Sequence, residues 1–177
     1  SAVIKRLGDL YYRVRQGIGF NKSPQEYGAF PCDPYSHTPK HAGAQQPGMT
    51  GQVKEEILTR FGELGIRVEQ GKVSFVPQLL RKQEFTQSAK TFKYLDIHDQ
   101  WQEIELPSRS IAFTWCQVPV IYQLTEGVSV LTTKLEEGEQ VNDSSNSLSP
   151  TLSHELFNRS GNIKSIYLSI NSTYLYD

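Results

Sequence analysis

The stretch GELGIRVEQGKVSFVP, residues 62–77, is where the hydrophobic period of the chain changes from helical to extended. Gly65 ends a helical pattern, and the alternation that follows, centred on Gln70-Gly71, predicts a β-hairpin because glycine supplies the positive φ of a tight turn. Helices before this point and strands after it predict an α+β fold. We expect a helical hairpin with a long loop over residues 1–65, and a mainly antiparallel, sandwich-like β-domain over residues 66–177.

Two amphipathic helices are predicted upstream of this stretch. The first has apolar residues at helical spacing: Val3, Ile4, Leu7, Leu10, Tyr11 and Val14. The second begins near Thr50, a plausible cap, and its predicted buried stripe is Val53, Ile57, Phe61 and Leu64. Two helices of this length do not make a core alone. Their apolar faces are therefore expected to turn toward each other or toward neighbours that this chain lacks.

The remainder of the chain is predicted to be β-structure. Hairpins are expected at 91–96 with 101–106 and at 110–116 with 118–124, where Pro119 requires an edge, a strand start or a bulge. Further strands are predicted at 128–135 and at 163–170, the latter with Ile163 and Tyr167 on its apolar face. Residues 136–149 are expected to form a polar surface loop, and residues 150–157 a short helix or an edge strand.

The composition is that of an ordinary soluble globular protein, with 177 residues, 37% hydrophobic, 21% charged and a net charge of -1. There is no basic run, so no nucleic-acid partner is expected. No apolar run approaches the ~20 residues that cross a bilayer, so no membrane-spanning helix is expected. Cys32 and Cys116 lack metal-binding spacing, so no metal or other cofactor is predicted.

The proline-rich segment between the helices carries the predicted site. Asp33, Tyr35, His37, His41, Gln45 and Gln46 provide a carboxylate, a phenol, imidazoles and amides, which are the groups that bind sugar hydroxyls. Thr50 and Gly51 then open the second helix, whose free N–H groups could hold an anion or a substrate oxygen. The plainer interpretation is that Asp33 and Tyr35 only fix turns and that Thr50 is an ordinary helix cap.

The order of helix, long polar loop, Pro47-Gly48-Met49-Thr50-Gly51 helix start and hairpin resembles a known group of enzymes. With Gly65-Ile66-Arg67-Val68, Gly71-Lys72-Val73 and Pro77, residues 1–80 are similar to the carboxy-terminal end of the (α/α)6-barrel glycosidases and glycoside phosphorylases. That group includes glucoamylases and maltose or cellobiose phosphorylases. The residues after Phe85 are similar to it only in their general β character.

The resemblance implies a carbohydrate partner and a bacterial-type six-hairpin glycosidase. It is compatible with a periplasmic or secreted location. It places a catalytic base in the loop before the last barrel helix, at Asp33 or Glu26, and the general acid in an upstream part of the same polypeptide. Thr50-Gly51 match the pattern near the phosphate site of the phosphorylases. The histidines and basic residues that those enzymes use for phosphate are not clearly present, so hydrolysis is favoured over phosphorolysis.

We therefore expect a carboxy-terminal piece of a glycoside hydrolase that acts on oligo- or polysaccharide and is inactive in isolation. The alternative is a non-catalytic carbohydrate-binding or structural β-domain. An exposed apolar face on the first helix favours the former, and burial of that face by the chain's own strands favours the latter. Trp101 is expected at the surface and Trp115 in the core.

Overall fold

The computed structural model describes residues 2–17 and 50–176, and the side chains of residues 2–15 and 57–176 among them. The chain divides into two compact units, Ser1–Gly62 and Glu63–Asp177. The α+β class predicted from the sequence is confirmed, with helices preceding mostly antiparallel sheets.

The first unit contains the two predicted helices. Helix α1 spans Ala2–Gly17 and helix α2 spans Thr50–Glu63. The predicted buried stripe of α2 is wrong at Ile57, which is exposed, whereas Phe61 is half-buried and Leu64, just beyond the helix, is buried. The side chain of Val53 lies outside the described residues. Periodicity identifies the apolar face of a helix but not whether another element covers it.

The second unit begins with the hairpin that the sequence predicted. Strands β1 (Ile66–Glu69) and β2 (Lys72–Phe75) pair antiparallel, with Glu69 opposite Lys72. Both turn residues have positive φ, 50° at Gln70 and 75° at Gly71, as a type I′ turn requires. A second antiparallel hairpin, β3 (Lys90–Leu95) with β4 (Trp101–Leu106), confirms the next prediction and is called the ribbon below.

The remaining strands form one five-stranded sheet. They are β5 (Ser110–Trp115), β6 (Val118–Thr125), β7 (Val130–Leu135), β8 (Gln140–Asp143) and β9 (Ile163–Asn171), and their order is β5-β6-β9-β7-β8. Helix α3 (Pro150–Asn158) precedes β9, which lies parallel to β6 and antiparallel to β7. Short 3₁₀ turns occupy Lys82–Glu84 and Ser172–Tyr174.

Two details of this sheet differ from the sequence prediction. Residues 140–143 form a strand and not part of a polar loop, because β8 pairs with β7 through its backbone and needs no apolar side chains to do so. Tyr167 does not share an apolar face with the core. It pairs between Ile121 and Thr132, on the side of the sheet opposite to Ile166 and Leu168, so the alternation of β9 puts it outside the core.

Three other predictions are settled by the same region. Pro119 is the second residue of β6 and pairs only with Thr114, which confirms a strand start. Residues 150–158 are helical, because proline fits the first helical position and the Ser149 hydroxyl accepts a hydrogen bond from the Leu152 N–H at 3.2 Å. Trp101 is exposed, and Trp115 is half-buried against the core.

The core lies between one face of the sheet, the β1–β2 hairpin and α3. Its buried side chains include Val73, Phe75, Val120, Tyr122, Leu131, Leu152, Leu156, Ile166 and Leu168. The Tyr122 ring is fully buried and makes edge contacts with Phe75 and Phe113. Its hydroxyl donates to the Leu64 carbonyl at 2.7 Å, so the segment entering the β-domain is hydrogen-bonded to the centre of the core.

Gly65 and Gly71 form a matched pair for testing the entry to the β-domain. Both have positive φ, 72° and 75°, but a Cβ on Gly65 would lie 2.1 Å from the Val76 carbonyl carbon, whereas one on Gly71 meets nothing within 4 Å. Gly71→Ala should therefore cost only the ~1–2 kcal/mol of a left-handed alanine. Gly65→Ala should cost about 1–3 kcal/mol more, because backbone must move. Urea unfolding of both variants measures the difference, and equal midpoints would contradict the clash.

Tyr122→Phe tests the hydrogen bond between the core and the entry segment. Removing the hydroxyl leaves the Leu64 carbonyl without this buried donor, so we expect a loss of about 1–3 kcal/mol in the free energy of unfolding. Tyr174→Phe is the control, since Tyr174 is 69% exposed and its loss of a hydroxyl should change little. Equal stabilities of the two variants in urea titration would show that this bond contributes nothing.

Candidate functional site

The predicted active-site loop falls outside the described part of the chain. Glu26, Asp33, Tyr35, His37, His41, Gln45 and Gln46 all lie outside the described residues. Thr50 and Gly51 are the first two residues of α2, in agreement with the predicted helix start, and their side chains also lie outside the described set. The clustering of these residues around a substrate stays a prediction.

Helix α1 carries an exposed apolar stripe. Val3, Leu7, Leu10 and Val14 recur at alternating intervals of four and three residues, and they are 66%, 61%, 56% and 64% exposed. Gly8 and Arg15 are the buried residues of the described part of this helix. The stripe is therefore not the face that is covered, which is the reverse of what an amphipathic helix packed on its own core shows.

The β-domain contains a cleft of about 530 Å³, which is within the range of small-molecule sites. Four segments border it: the tip of the ribbon, the β5–β6 turn, the end of β7 and the loop from α3 into β9. Its polar lining includes Tyr94, Asp96, His98, Gln102, Gln117, Glu136, Glu137, Asn162 and Lys164. Its apolar lining includes Ile97, Val118, Pro119 and Ile163. We call this group of residues the cleft.

Asp96 organises the tip of the ribbon. One carboxylate oxygen accepts hydrogen bonds from the backbone N–H groups of His98 and Gln100 at 2.8 and 3.0 Å, and the other accepts from Nε2 of Gln102 at 2.8 Å. The backbone N–H of Gln100, together with the backbone N–H of His98 and the side-chain amide of Gln102, holds the pKa of Asp96 below its ordinary value. Asp96 is thus an ionised structural acceptor, unsuited to donate a proton as a general acid.

Gln117 connects the β5–β6 turn to the ribbon. Its Nε2 donates to the Asp96 carbonyl at 2.9 Å and to the Asp99 carboxylate at 3.3 Å. Gln117 and its neighbour Cys116 both have positive φ, 64° and 51°, although neither is glycine. Such backbone costs about 1–2 kcal/mol per residue, so it persists only where surrounding contacts hold it. The hydrogen bonds of Gln117 are such contacts.

The opposite wall of the cleft is held by two further pairs. Asn162 Nδ2 donates to the Glu155 carboxylate of α3 at 2.6 Å, and the Asn162 carbonyl accepts the Glu136 N–H at 2.8 Å. Glu136 forms an ion pair with Lys164. Gly161, with φ of 88°, brings this loop against the ribbon, because a Cβ there would meet Ile97 at 3.3 Å. A side chain at residue 161 would therefore crowd the ribbon.

These contacts fix the orientation of three side-chain amides. The partners of Gln102, Gln117 and Asn162 are carbonyl or carboxylate oxygens, which can only accept, so each amide must present its NH₂ group to the protein. The oxygens of these side-chain amides receive no hydrogen bond from any residue in the described part of the chain. The cleft therefore combines three oriented side-chain amides with an apolar lining, an arrangement suited to binding a small molecule.

The sequence did not predict this cleft. In the sequence, His98 and Asp99 lie between the predicted strands 91–96 and 101–106, and Gln117 lies between the predicted strands 110–116 and 118–124. The residues of the cleft come from four segments spread over residues 94–164, and each is unremarkable in isolation. The one local signal is the run Asp96-Ile97-His98-Asp99-Gln100, whose acidic first residue is typical of turns closed by side-chain acceptors.

Asp96→Asn should lower stability in a pH-dependent way. The folded pKa of Asp96 lies below its unfolded value, so its carboxylate stabilises the fold above the ordinary pKa, and this contribution is lost as pH falls through the folded pKa. We expect the variant to have a lower urea midpoint than the wild type at about pH 7 and a midpoint closer to it at about pH 2.5.

The matched control for this experiment is Glu139→Gln, at an exposed position in the turn before β8. It removes one carboxylate without removing the hydrogen bonds of the ribbon turn, so its midpoint should stay near that of the wild type at both pH values. A midpoint difference for Asp96→Asn that is the same at both pH values would contradict the role given to the carboxylate.

Comparisons with known proteins add no further constraint: no family model matches the chain, and no curated protein matches it. Among the described residues, no helix is long and apolar enough to cross a membrane. The same residues include no group of three or more His, Cys, Asp or Glu side chains placed to hold a metal ion. In the described part of the chain, the exposed stripe of α1 and the cleft are features that point to a function.

Proposed function

We propose that this chain is the carboxy-terminal part of a carbohydrate-active enzyme, a glycoside hydrolase of the (α/α)-barrel type that acts on oligo- or polysaccharide. In this proposal α1 and α2 belong to the helical barrel of the enzyme, and the β-domain follows the barrel in the sequence as a separate unit. The exposed apolar stripe of α1 carries the proposal. The resemblance of residues 1–80 to the end of the (α/α)6-barrel glycosidases supports the enzyme class and the carbohydrate substrate.

The stripe supports this proposal because it leaves apolar surface in water. Its four aliphatic residues are all more than half exposed. Burying such side chains is favourable by about 1.5–3 kcal/mol each, and contiguous exposed apolar surface marks an interaction site. Alternating spacings of three and four residues are those by which a helix packs lengthwise along another helix. Upstream helices of the same polypeptide are the partner that the resemblance implies.

Catalysis in such an enzyme needs two carboxyl groups on either side of the scissile bond. We assign the general base to Asp33, with Glu26 as the alternative, and the general acid to the upstream part of the polypeptide. Tyr35, His37, His41, Gln45 and Gln46, together with Thr50 and Gly51 at the start of α2, would then bind substrate hydroxyls. Without the second carboxyl group, the isolated chain would bind a sugar without cleaving it.

The second candidate is a non-catalytic carbohydrate-binding or structural β-domain. The cleft favours it, because its carboxylate Asp96 is committed to the ribbon turn and its exposed Glu136 to Lys164. The two candidates are compatible within one polypeptide, since an enzyme can carry a binding domain. They differ in whether the helical residues take part in catalysis.

The enzyme proposal is tested first with the purified 177-residue chain. It should release no product from α- or β-linked oligosaccharides, because in this proposal the general acid lies in the upstream part of the polypeptide. Measurable turnover by this chain would overturn the assignment. The coding sequence upstream of Ser1 provides the second test: the proposal requires further helical hairpins and a carboxylate that can act as the acid.

In the intact parent, Asp33→Asn should lower turnover by about 10²–10⁴-fold, as expected for loss of a general base, with little change in melting temperature. Glu26→Gln is the matched variant, because it removes the other candidate base from the same loop. Loss of activity in Glu26→Gln alone would reassign the base to Glu26. Full activity of both variants would remove the loop from catalysis.

A further inference from the structure

The cleft of the β-domain differs from the predicted helical site in both position and chemistry. Every residue that lines it lies between Tyr94 and Lys164, within the second compact unit. Gln102, Gln117 and Asn162 line it, and their side-chain amide nitrogens are each held by a protein acceptor at 2.6–2.9 Å, which leaves their side-chain carbonyl oxygens as acceptors for a ligand. Acceptors fixed in this way select a ligand that presents hydrogen-bond donors.

The charges of the cleft narrow the class of ligand. Asp96 has both carboxylate oxygens engaged by the ribbon turn, and Glu136 is paired with Lys164. Glu137, an exposed residue, has no ion-pair partner among the described residues. An anion would therefore meet carboxylates on two sides of the cleft. Asp96 and Glu136 have their carboxylate oxygens engaged, which leaves Glu137 as the carboxylate of the cleft that is open to a cation. The side-chain amide oxygens are neutral acceptors, and hydroxyl groups are the donors that fit them best.

The apolar lining adds a second requirement. Ile97, Val118, Pro119 and Ile163 contribute aliphatic surface beside the amide oxygens, and Tyr94 contributes a half-buried ring that stacks on Phe92 with 5.7 Å between centroids. Small-molecule sites combine such surface with a few placed polar groups. A ring that has hydroxyl groups at its edge and C–H groups on its faces matches both the acceptors and the apolar lining.

We propose that this cleft is a binding site for a neutral sugar, with the side-chain carbonyl oxygens of Gln102, Gln117 and Asn162 accepting hydrogen bonds from its hydroxyl groups. The inference deepens the second candidate function, on which it rests for its ligand class. It does not depend on whether the helical part belongs to an enzyme. In this proposal the positive-φ turn at Cys116-Gln117 has a functional role, because it places Gln117 in the lining of the cleft.

The test uses the full 177-residue chain labelled with ¹⁵N and titrated with maltotetraose, cellotetraose and xylotetraose. We expect at least one of them to shift amide signals in the segments 94–102, 117–119 and 160–164. Spermidine and sulfate, at the same concentrations, should shift these signals less. Stronger shifts with spermidine would replace the sugar by a cation, and stronger shifts with sulfate would replace it by an anion. Either result would overturn the proposal.

Two substitutions separate the acceptors from the fold. Gln102→Lys and Gln117→Lys keep a donor for Asp96 and remove the side-chain carbonyl oxygen of a residue that lines the cleft. Each should weaken sugar binding by about two- to tenfold, the value of one hydrogen bond. Gln140→Lys is the matched control, because it makes the same charge change at an exposed residue of β8 outside the cleft, and it should bind as the wild type does.

Trp101 provides the competing location. It is 71% exposed at the start of β4, adjacent in sequence to Gln102 and therefore on the other face of the ribbon. If Trp101→Ala abolishes binding while both lysine variants bind normally, the chain binds sugar on the outer face and the cleft assignment fails alone. If no sugar shifts any signal, the cleft and the carbohydrate-binding candidate fail together, and the enzyme proposal is still decided by its own tests.

Discussion

The β-domain depends on the close approach of Gly65 to Val76. The Val76 N–H donates to the Gly65 carbonyl at 2.8 Å, and there is no room for a side chain on residue 65. This contact closes the base of the β1–β2 hairpin, so that Val73 and Phe75 enter the core. One residue earlier, the Leu64 carbonyl accepts the Tyr122 hydroxyl. The entry of the chain and the middle of the sheet are therefore linked through two adjacent peptide units.

The same sheet positions the cleft. Placing β9 parallel to β6 requires a crossover, which the segment containing α3 provides, and the chain then enters β9 beside the start of β6. Asn162 and Lys164 are thereby placed near Gln117, although more than 40 residues separate them in sequence. The ribbon supplies the remaining wall, and its turn is attached to the β5–β6 turn through Gln117. The cleft thus results from the topology of the domain and from no single segment.

The two functional features follow different physical logic. The stripe of α1 exposes apolar area to water, and covering that area favours a partner with a large apolar surface. The stripe does not indicate which reaction or ligand is involved. The cleft is a matter of hydrogen-bond geometry, since acceptors whose orientation is fixed by other groups need no reorganisation when a ligand arrives. A carbohydrate-active enzyme with a binding domain would use both, the stripe for assembly of its barrel and the cleft for holding a glycan.

Local pattern determined many elements of this protein. The end of the helical period at Gly65, the Gln70-Gly71 turn and the ribbon were predicted from the sequence, and a strand start was one of three predictions for Pro119, because each is fixed by residues close together in the chain. The sequence also supplied the candidate catalytic and substrate-binding residues of the loop around Asp33, which stay predictions.

The tertiary structure alone decided that Tyr167 lies outside the core, that residues 140–143 form a strand, that β6 and β9 are parallel and that the α1 stripe is exposed. It also brought Gln102, Gln117 and Asn162 to one cleft. Strand pairing and the covering of a face depend on contacts between residues distant in sequence, and such contacts leave no periodic trace in any one segment.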